Sequence, residues 1–323
     1  MTIRFLVADA LSPEGVAMLK AQPGFQVDVK TGLAKTELLD IIGNYDALLV
    51  RSQTKVTAEV IAAAKSLKLI GRAGIGVDNI DVKAATAAGV LVMNAPDGNA
   101  ITTAEHAIAL LFSLARQIPD ACASLRSGKW EKSKFNGTEI HGKTLGIIGL
   151  GKIGRIVAAL ARGIRMQIVA YDPFLTQDVA DEVGAKLLPF HEVLAQSDFL
   201  TIHTTLSDAT RHLLNAEAFA KLKKGSFVIH AARGGIIDEV ALLEALENGT
   251  VRGAALDVFE EEPPAPDHAL LKHPRVICTP HLGASTEEAQ NRVAFEIAEQ
   301  ARDYFLHGEK RNVINLKHLV HQH

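Results

Sequence analysis

The chain has 323 residues, 48% apolar and 22% charged, with a formal net charge of −3. That length suits two domains rather than one small core, and the balance excludes a disordered chain, a collagen-like repeat and a coiled coil. The small net charge gives no global pull toward nucleic acid or anionic membrane, and no run reaches the roughly 18 apolar residues of a membrane helix.

In chain order, short apolar runs alternate with helical patterns, which predicts α/β architecture with parallel sheets. The first third reads strand Arg4–Ala8, helix Pro13–Ala21, strand Gln26–Lys30, helix Lys35–Ile42, strand Ala47–Val50, helix Ala58–Ser66, strand Lys68–Gly71 and a helix near Val82–Ala88. Asp9 falls where a secretory leader needs its apolar core, so none is expected. Thr102 and Glu105 have capping-box spacing, and Ile108, Leu111, Phe112 and Ala115 continue a helix predicted to begin near Thr103. A polar loop, Ser127–His141, holds the single Trp; a second αβ series runs from Lys143 to Thr279. Ser285 and Glu288 form another capping-box pair, opening a long helix to about Leu306, and the last short sheet-forming run is Asn312–Leu316. Cys122 and Cys278, far apart, fit a reduced cytoplasmic protein and supply no thiolate set for structural zinc. No metal is expected.

Lys143–Leu150 is an apolar strand candidate running into Gly149-Leu150-Gly151-Lys152-Ile153-Gly154, and Ile153, Ile156, Val157, Leu160 and Ile164 mark one face of the next helix. A glycine triplet alone is weak, but strand, glycines, helix and strand together predict a dinucleotide site. Gly149 suits the tight turn, Gly151 lets a pyrophosphate approach the backbone, and Gly154 lets helix and strand pack closely. The following strand, Gln167–Tyr171, ends at Asp172, a carboxylate able to accept from ribose hydroxyls. Pro173-Phe174-Leu175-Thr176 offer no cation for a 2′-phosphate, so NAD is the expected cofactor rather than NADP.

Hydride transfer from a secondary alcohol also needs a base, a group to tune it and a cation for the substrate oxygens. Three loops after predicted strands offer them: Arg233 in HAARGG, Glu262 in EEEPP and His281 in TPHLG. Taken singly, each has an ordinary alternative, a structural or surface histidine among thirteen, or a solvated Arg or Glu.

The segments GLGKIG with YDP, HAARGGIIDE, GAALDVFEEEPP and TPHLGAS, in this order, resemble the NAD-dependent D-2-hydroxyacid dehydrogenase family over nearly the whole chain. VRSQTKVT, GRAGIGVDNID, LVMNAPDGN and SGKWEKSKF are similar to its phosphoglycerate-oxidising branch, which opens serine biosynthesis. The resemblance implies that Arg233 binds the substrate carboxylate and C2 oxygen, that His281 exchanges the C2 hydroxyl proton, and that Glu262 pairs with His281, orienting its ring and favouring its charged form. Glutamate at 262 departs from the related formate dehydrogenases, which carry glutamine. NAD contacts are implied at the Lys152 and Ile153 backbone, and at Thr204, Ala231, Asp257 and Gly283 around the nicotinamide half. Thr204 and Asp257 serve equally well as strand-end hydrogen bonders.

For a phosphorylated acid, the backbone amides of Gly74-Ile75-Gly76 suit the carboxylate as an anion nest, and the guanidinium forks of Arg51 and Arg72 suit the phosphate. Lys132, with Lys134, joins them across a dimer, or is plain surface charge. Ile75 stands where Thr is common, Thr205 where Pro is common, and Lys132 where Arg is common. The implied fold is two Rossmann-like domains with an active-site cleft between them: residues 1–97 plus 286–323 for substrate, 98–285 for NAD, with hinge crossings near Asn99 and Ser285. The helix from Thr103 and the Trp loop are the expected homodimer contact. No C-terminal regulatory extension is expected. Two other functions share the resemblance, a glyoxylate or hydroxypyruvate reductase and an NAD-binding corepressor-like module.

Overall fold

The computed structural model describes residues 2–316, so residues 317–323 of the expected substrate segment lie outside the described part. The chain divides into two compact units: residues through Asn99 together with those from Ala284 onward, and Ala100–Gly283.

The first unit runs β1 (Ile3–Val7), α1 (Pro13–Lys20), β2 (Phe25–Val29), α2 (Lys35–Ile42), β3 (Ala47–Val50), α3 (Ala58–Ala63), β4 (Leu69–Arg72), α4 (Val82–Ala87) and β5 (Leu91–Asn94). Its strands are all parallel, in the order β2-β1-β3-β4-β5. Successive side chains of a strand point to opposite faces. Accordingly, Leu6 and Ala8 enter one apolar cluster while Phe5 and Val7 enter another. Helices must cover both faces, which is why these strands are apolar throughout rather than alternating.

The second unit opens with α5 (Ala100–Arg116), α6 (Ile118–Arg126) and a 3₁₀ turn at Lys132–Lys134. It continues through β6 (Thr144–Ile148), α7 (Lys152–Gly163), β7 (Gln167–Tyr171), α8 (Gln177–Asp181), β8 (Ala185–Leu187), α9 (Phe190–Gln196) and β9 (Phe199–Ile202). It closes with α10 (Ala216–Ala220), β10 (Ser226–His230), α11 (Glu239–Glu247), β11 (Val251–Leu256), α12 (Ala269–Lys272) and β12 (Val276–Cys278). The parallel order β12-β11-β10-β9-β6-β7-β8 is a doubly wound sheet that reverses direction between β6 and β9. Each face again has its own apolar core.

Two expected helix starts shift. α5 begins at Ala100, ahead of the Thr102–Glu105 pair, and Thr102 and Thr103 are buried inside it. The terminal helix α13 (Glu287–His307) is capped by Thr286, whose hydroxyl accepts from the Ala289 N–H at 3.2 Å, one residue after Ser285. The helix leading to the Trp loop is also broken: Gln117 adopts φ 52° and Pro119 opens α6. α13 packs on α1, β4 and β5 through Val293, Ile297, Ala298 and Ala301. Beyond it Val313 bridges antiparallel to Met93, so Asn312–Leu316 borders β5. Cys122 and Cys278 are free thiols. Among the described residues, no single helix is long and apolar enough to cross a membrane.

Candidate active site

The reversal between β6 and β9 opens the sheet at its carboxyl edge, where doubly wound folds take ligands. Gly149 turns the chain there with φ 90°, and a Cβ on it would lie 2.8 Å from the His203 carbonyl oxygen at the end of β9. A Cβ on Gly154 would collide with the Gly149 carbonyl oxygen, so that glycine lets α7 rest on β6. Around Gly151 a Cβ would meet nothing within 4 Å. Gly151 caps α7 without a side-chain hydrogen bond, so the positive end of the helix dipole, at the Lys152 and Ile153 backbone, faces the turn where an anion fits. The Asp172 carboxylate accepts from Leu150 N–H at 2.9 Å and Phe174 N–H at 3.0 Å, binding the glycine turn to the end of β7. Thr204 borders the same turn, its nitrogen 2.9 Å from the point a Gly149 Cβ would occupy. This open glycine, the bare helix end and the ribose-side carboxylate fit NAD.

Arg233, Glu262 and His281 follow β10, β11 and β12, three adjacent strands, so the topology sets their loops side by side. His281 Nδ1 lies 2.7 Å from Glu262 Oε2, while Phe259 N–H donates to Glu262 Oε1 at 3.2 Å. Burial pushes the Glu262 carboxyl upward, but the His281 hydrogen bond and charge, the Phe259 N–H and the Arg233 guanidinium outweigh it and hold the group below its usual range. The Arg233 guanidinium donates to the Ala232 carbonyl at 2.6 Å. The Arg233 carbonyl accepts from the His230 imidazole at 2.8 Å, which assigns the His230 proton to Nε2. His230 is 2% exposed, and burial pushes its pKa down to about 4.

His281 adopts φ 53°, a left-handed conformation that a non-glycine residue holds only where its surroundings enforce it. Asp257 supplies the enforcement. Its backbone carbonyl accepts from His281 N–H at 2.9 Å, and its carboxylate accepts from Thr279 Oγ1 at 2.5 Å, Leu282 N–H at 2.7 Å and Gly283 N–H at 2.8 Å. His106 Nε2, from α5, stands 3.2 Å from the same carboxylate. Burial pushes the Asp257 carboxyl up, and these donors together bring it below the ordinary carboxylate range. Expected beside the nicotinamide, the Asp257 carboxylate has no exposed surface. Ala231 and Gly283 are likewise buried at the strand ends.

In the first unit, Asp9 is 2% exposed and accepts from Arg51 N–H at 2.6 Å and from the Thr54 hydroxyl at 2.6 Å. Asn79 Nδ2 donates to the carbonyls of Arg51 and Thr54, both at 2.7 Å, so the Arg51 turn is held from two sides. Asn94 Nδ2 donates to the Ile75 carbonyl at 2.6 Å, fixing Gly74-Ile75-Gly76, and the Arg72 guanidinium covers Gly74 so closely that a Cβ there would strike it. Lys132 and Lys134 sit exposed on the 3₁₀ turn of the second unit. Asp9, Asn79, His106, Thr279 and His230 hold neighbouring residues in place, and sequence reasoning singled out none of them; Thr279 in TPHLG and His230 in HAARGG lie inside motifs it did use, while the other three carry no local signal.

A glycine turn at the switch point with a carboxylate after the next strand defines a dinucleotide-binding protein of the doubly wound class. Residues 108–283 match the family model described as D-isomer specific 2-hydroxyacid dehydrogenase, NAD binding domain, and the chain belongs to that family. The chain is similar to a D-3-phosphoglycerate dehydrogenase of Archaeoglobus fulgidus, 50% identical over 97% of this chain and 59% of that protein. It spans between 57% and 60% of the length of several relatives of that name. Among solved structures, a protein from Thermus thermophilus superposes with a TM-score of 0.88 at 32% identity, covering 97% of this chain and all of that one. A glyoxylate reductase from Paecilomyes thermophila gives 0.88 at 31% identity over 98% of this chain and 99% of its own.

Proposed function

We propose that this chain catalyses the NAD-dependent oxidation of D-3-phosphoglycerate to 3-phosphohydroxypyruvate, the first step of serine biosynthesis. The observation that carries the reading is the 2.7 Å His281–Glu262 pair on the loop next to Arg233, at the carboxyl edge of a NAD-binding sheet. With Nδ1–H donated to Glu262, His281 keeps its Nε2 lone pair for the C2 hydroxyl proton. Arg233 binds the carboxylate and the C2 oxygen, and its charge favours the polarised carbonyl of the keto acid. Bound NAD supplies the acceptor for the hydride that leaves C2. Glu262 stays ionised and offsets the positive charge that His281 gains with the proton. Thr204, Ala231, Asp257 and Gly283 surround the nicotinamide half, Asp257 through the turn it holds.

For the substrate's other end, the pinned Arg51 turn and Arg72 are the phosphate candidates, and the Gly74-Ile75-Gly76 amides take the carboxylate. The name shared by relatives at about 50% identity supports the phosphorylated substrate. The chain acts in the cytoplasm as a homodimer through α5, α6 and the Trp loop, to which Lys132 contributes. Ile118, Leu125 and Trp130, exposed at 50%, 57% and 82%, support that contact.

The likeness to a glyoxylate reductase favours reduction of an unphosphorylated 2-keto acid as the second reading. NADH oxidation with 3-phosphohydroxypyruvate against hydroxypyruvate separates the two. Preference for the phosphorylated acid supports the proposal, and preference for hydroxypyruvate replaces it with the reductase.

A further inference from the structure

Asp257 is a carboxylate with no exposed surface, and the cost of burying such a group falls only when each oxygen finds donors. Three donors come from the turn it anchors: the Thr279 hydroxyl and the N–H groups of Leu282 and Gly283. The remaining one comes from outside that turn. His106 on α5 brings Nε2 to 3.2 Å from Asp257 Oδ1 and 3.3 Å from Thr279 Oγ1. Because the Thr279 hydroxyl spends its own hydrogen on Asp257, both atoms facing His106 accept, and the imidazole must carry a proton on Nε2. Thr103, one helical turn earlier on α5, lies against the same loop, with its methyl 3.4 Å from where a Gly283 Cβ would stand. A single face of α5 thus closes over Thr279–Gly283.

We infer that His106 is a positioning residue for the reaction: its Nε2–H, on Thr279 Oγ1 and 3.2 Å from Asp257 Oδ1, secures the Thr279–Asp257 pair, and Asp257 holds the left-handed turn that presents His281. The inference rests on the role proposed for His281. Without the His106 donor, the buried carboxylate draws less tightly on Leu282 and Gly283, and a turn centred on φ 53° relaxes toward ordinary backbone. His281 then spends less time in register with Glu262. The loss falls mainly on kcat, because the dinucleotide phosphates are proposed to bind at the β6–α7 turn; Asp257 and Gly283, proposed beside the nicotinamide half, carry a smaller rise in the KM for NADH.

Gln reaches about as far as the imidazole Nε2 and keeps an N–H there, whereas Asn stops about where Nδ1 lies and Leu donates nothing. The test compares His106→Gln, His106→Asn and His106→Leu with the parent chain for kcat, the KM for NADH and hydrogen exchange of a peptide covering 279–283. Loss of one hydrogen bond to a charged, buried group predicts that kcat falls about ten- to a hundredfold for Asn and Leu. The Gln variant should stay within about threefold, KM for NADH should rise less than kcat falls in Asn and Leu, and exchange at Leu282 and Gly283 should accelerate for Asn and Leu but not for Gln. Equal kcat and exchange in Gln and Asn overturn the inference, and that pair decides the matter even when Leu fails to fold. Should the parent turn over no 2-keto acid, the proposed function fails, while the exchange comparison still tests the hold of His106 on the turn.

Discussion

His281 has one nitrogen committed and one available, and the commitment sets the chemistry. With Nδ1–H donated to Glu262, a neutral ring offers Nε2 as an acceptor, which suits a base in oxidation, and a protonated ring suits an acid in reduction. Replacing His281 by Ala should therefore lower turnover roughly 10²–10⁴-fold, the range of a general base. NADH binding, measured by fluorescence titration, should change little, and unchanged turnover would exclude His281 as the base. Asp172 makes a second claim testable on one side chain. Its carboxylate sits after β7 where a 2′-phosphate would meet like charge, with no cation in Pro173–Thr176 to offset it. Asp172→Ala should narrow the preference for NAD over NADP in a comparison of KM values; an unchanged ratio would assign the choice elsewhere. The residues proposed to carry the chemistry were legible as candidates because each stands in a short, ordered motif. Their supports were not: His106 and Asp257, or Asp9 and Arg51, meet only when strands and helices are assembled, and neither period nor spacing marks such pairs.

Among the elements, strands and most helix starts were legible to about a residue, since a strand buried on both faces is a short unbroken apolar run: β1, β2 and β4 lie one residue from their predicted limits, and α1 to α4 start where predicted. β3 and β7 match their predicted limits residue for residue. Only the two helix starts read from capping-box pairs shifted, because such a pair marks a start only when the chain turns there. Thr102 and Glu105 have that spacing inside α5, and Ser285 yields its place to Thr286. The break at Gln117 depends on a left-handed backbone that nothing short of the folded chain specifies, although Pro119 allowed it. The β6–α7 junction carries a prediction at this scale. Gly154→Ala drives a methyl into the Gly149 carbonyl and should destabilise the second unit by about 1–3 kcal/mol, as overpacking does, visible as a lower denaturant midpoint. Gly151→Ala meets open space and should leave that midpoint nearly unchanged while weakening NADH binding, because the added methyl occupies the approach to the helix end. If both variants lose stability equally, the opening at Gly151 is not a ligand's.

On the scale of the whole molecule, the net charge of −3 exerts little self-repulsion, and the pH dependence of folding comes from a few buried groups. His230 is the clearest. It keeps a neutral ring, its Nε2–H on the Arg233 carbonyl and its Nδ1 buried without a hydrogen-bond partner among the described residues. Burial lowers its pKa from 6.5 to about 4, against the pull of the Arg233 carbonyl, Asp257 and Glu262. Between those values the unfolded chain binds a proton that the folded chain refuses, so stability rises with pH across the interval. The contribution of His230 is complete above about pH 6.5 and is lost as pH falls toward about 4. His203, pushed by burial and by the neighbouring His230 to about 3, adds to the loss in the same direction. Asp257 and Glu262 act further down: held below the ordinary carboxylate range, they stabilise the fold above it, and that share disappears as acid protonates them. Acidification should thus erode stability over two overlapping ranges, imidazoles from higher pH and carboxylates further down. His230→Gln removes the His230 share of the first titration while its amide, reaching about as far as Nε2, can still donate to the Arg233 carbonyl. Thermal midpoints at pH 7 and pH 5 should show the parent losing more than the variant on acidification, so that any advantage of the parent at pH 7 shrinks by pH 5. An equal drop in both proteins would mean that His230 does not titrate in this interval, and the acid sensitivity would then belong to His203 and the carboxylates.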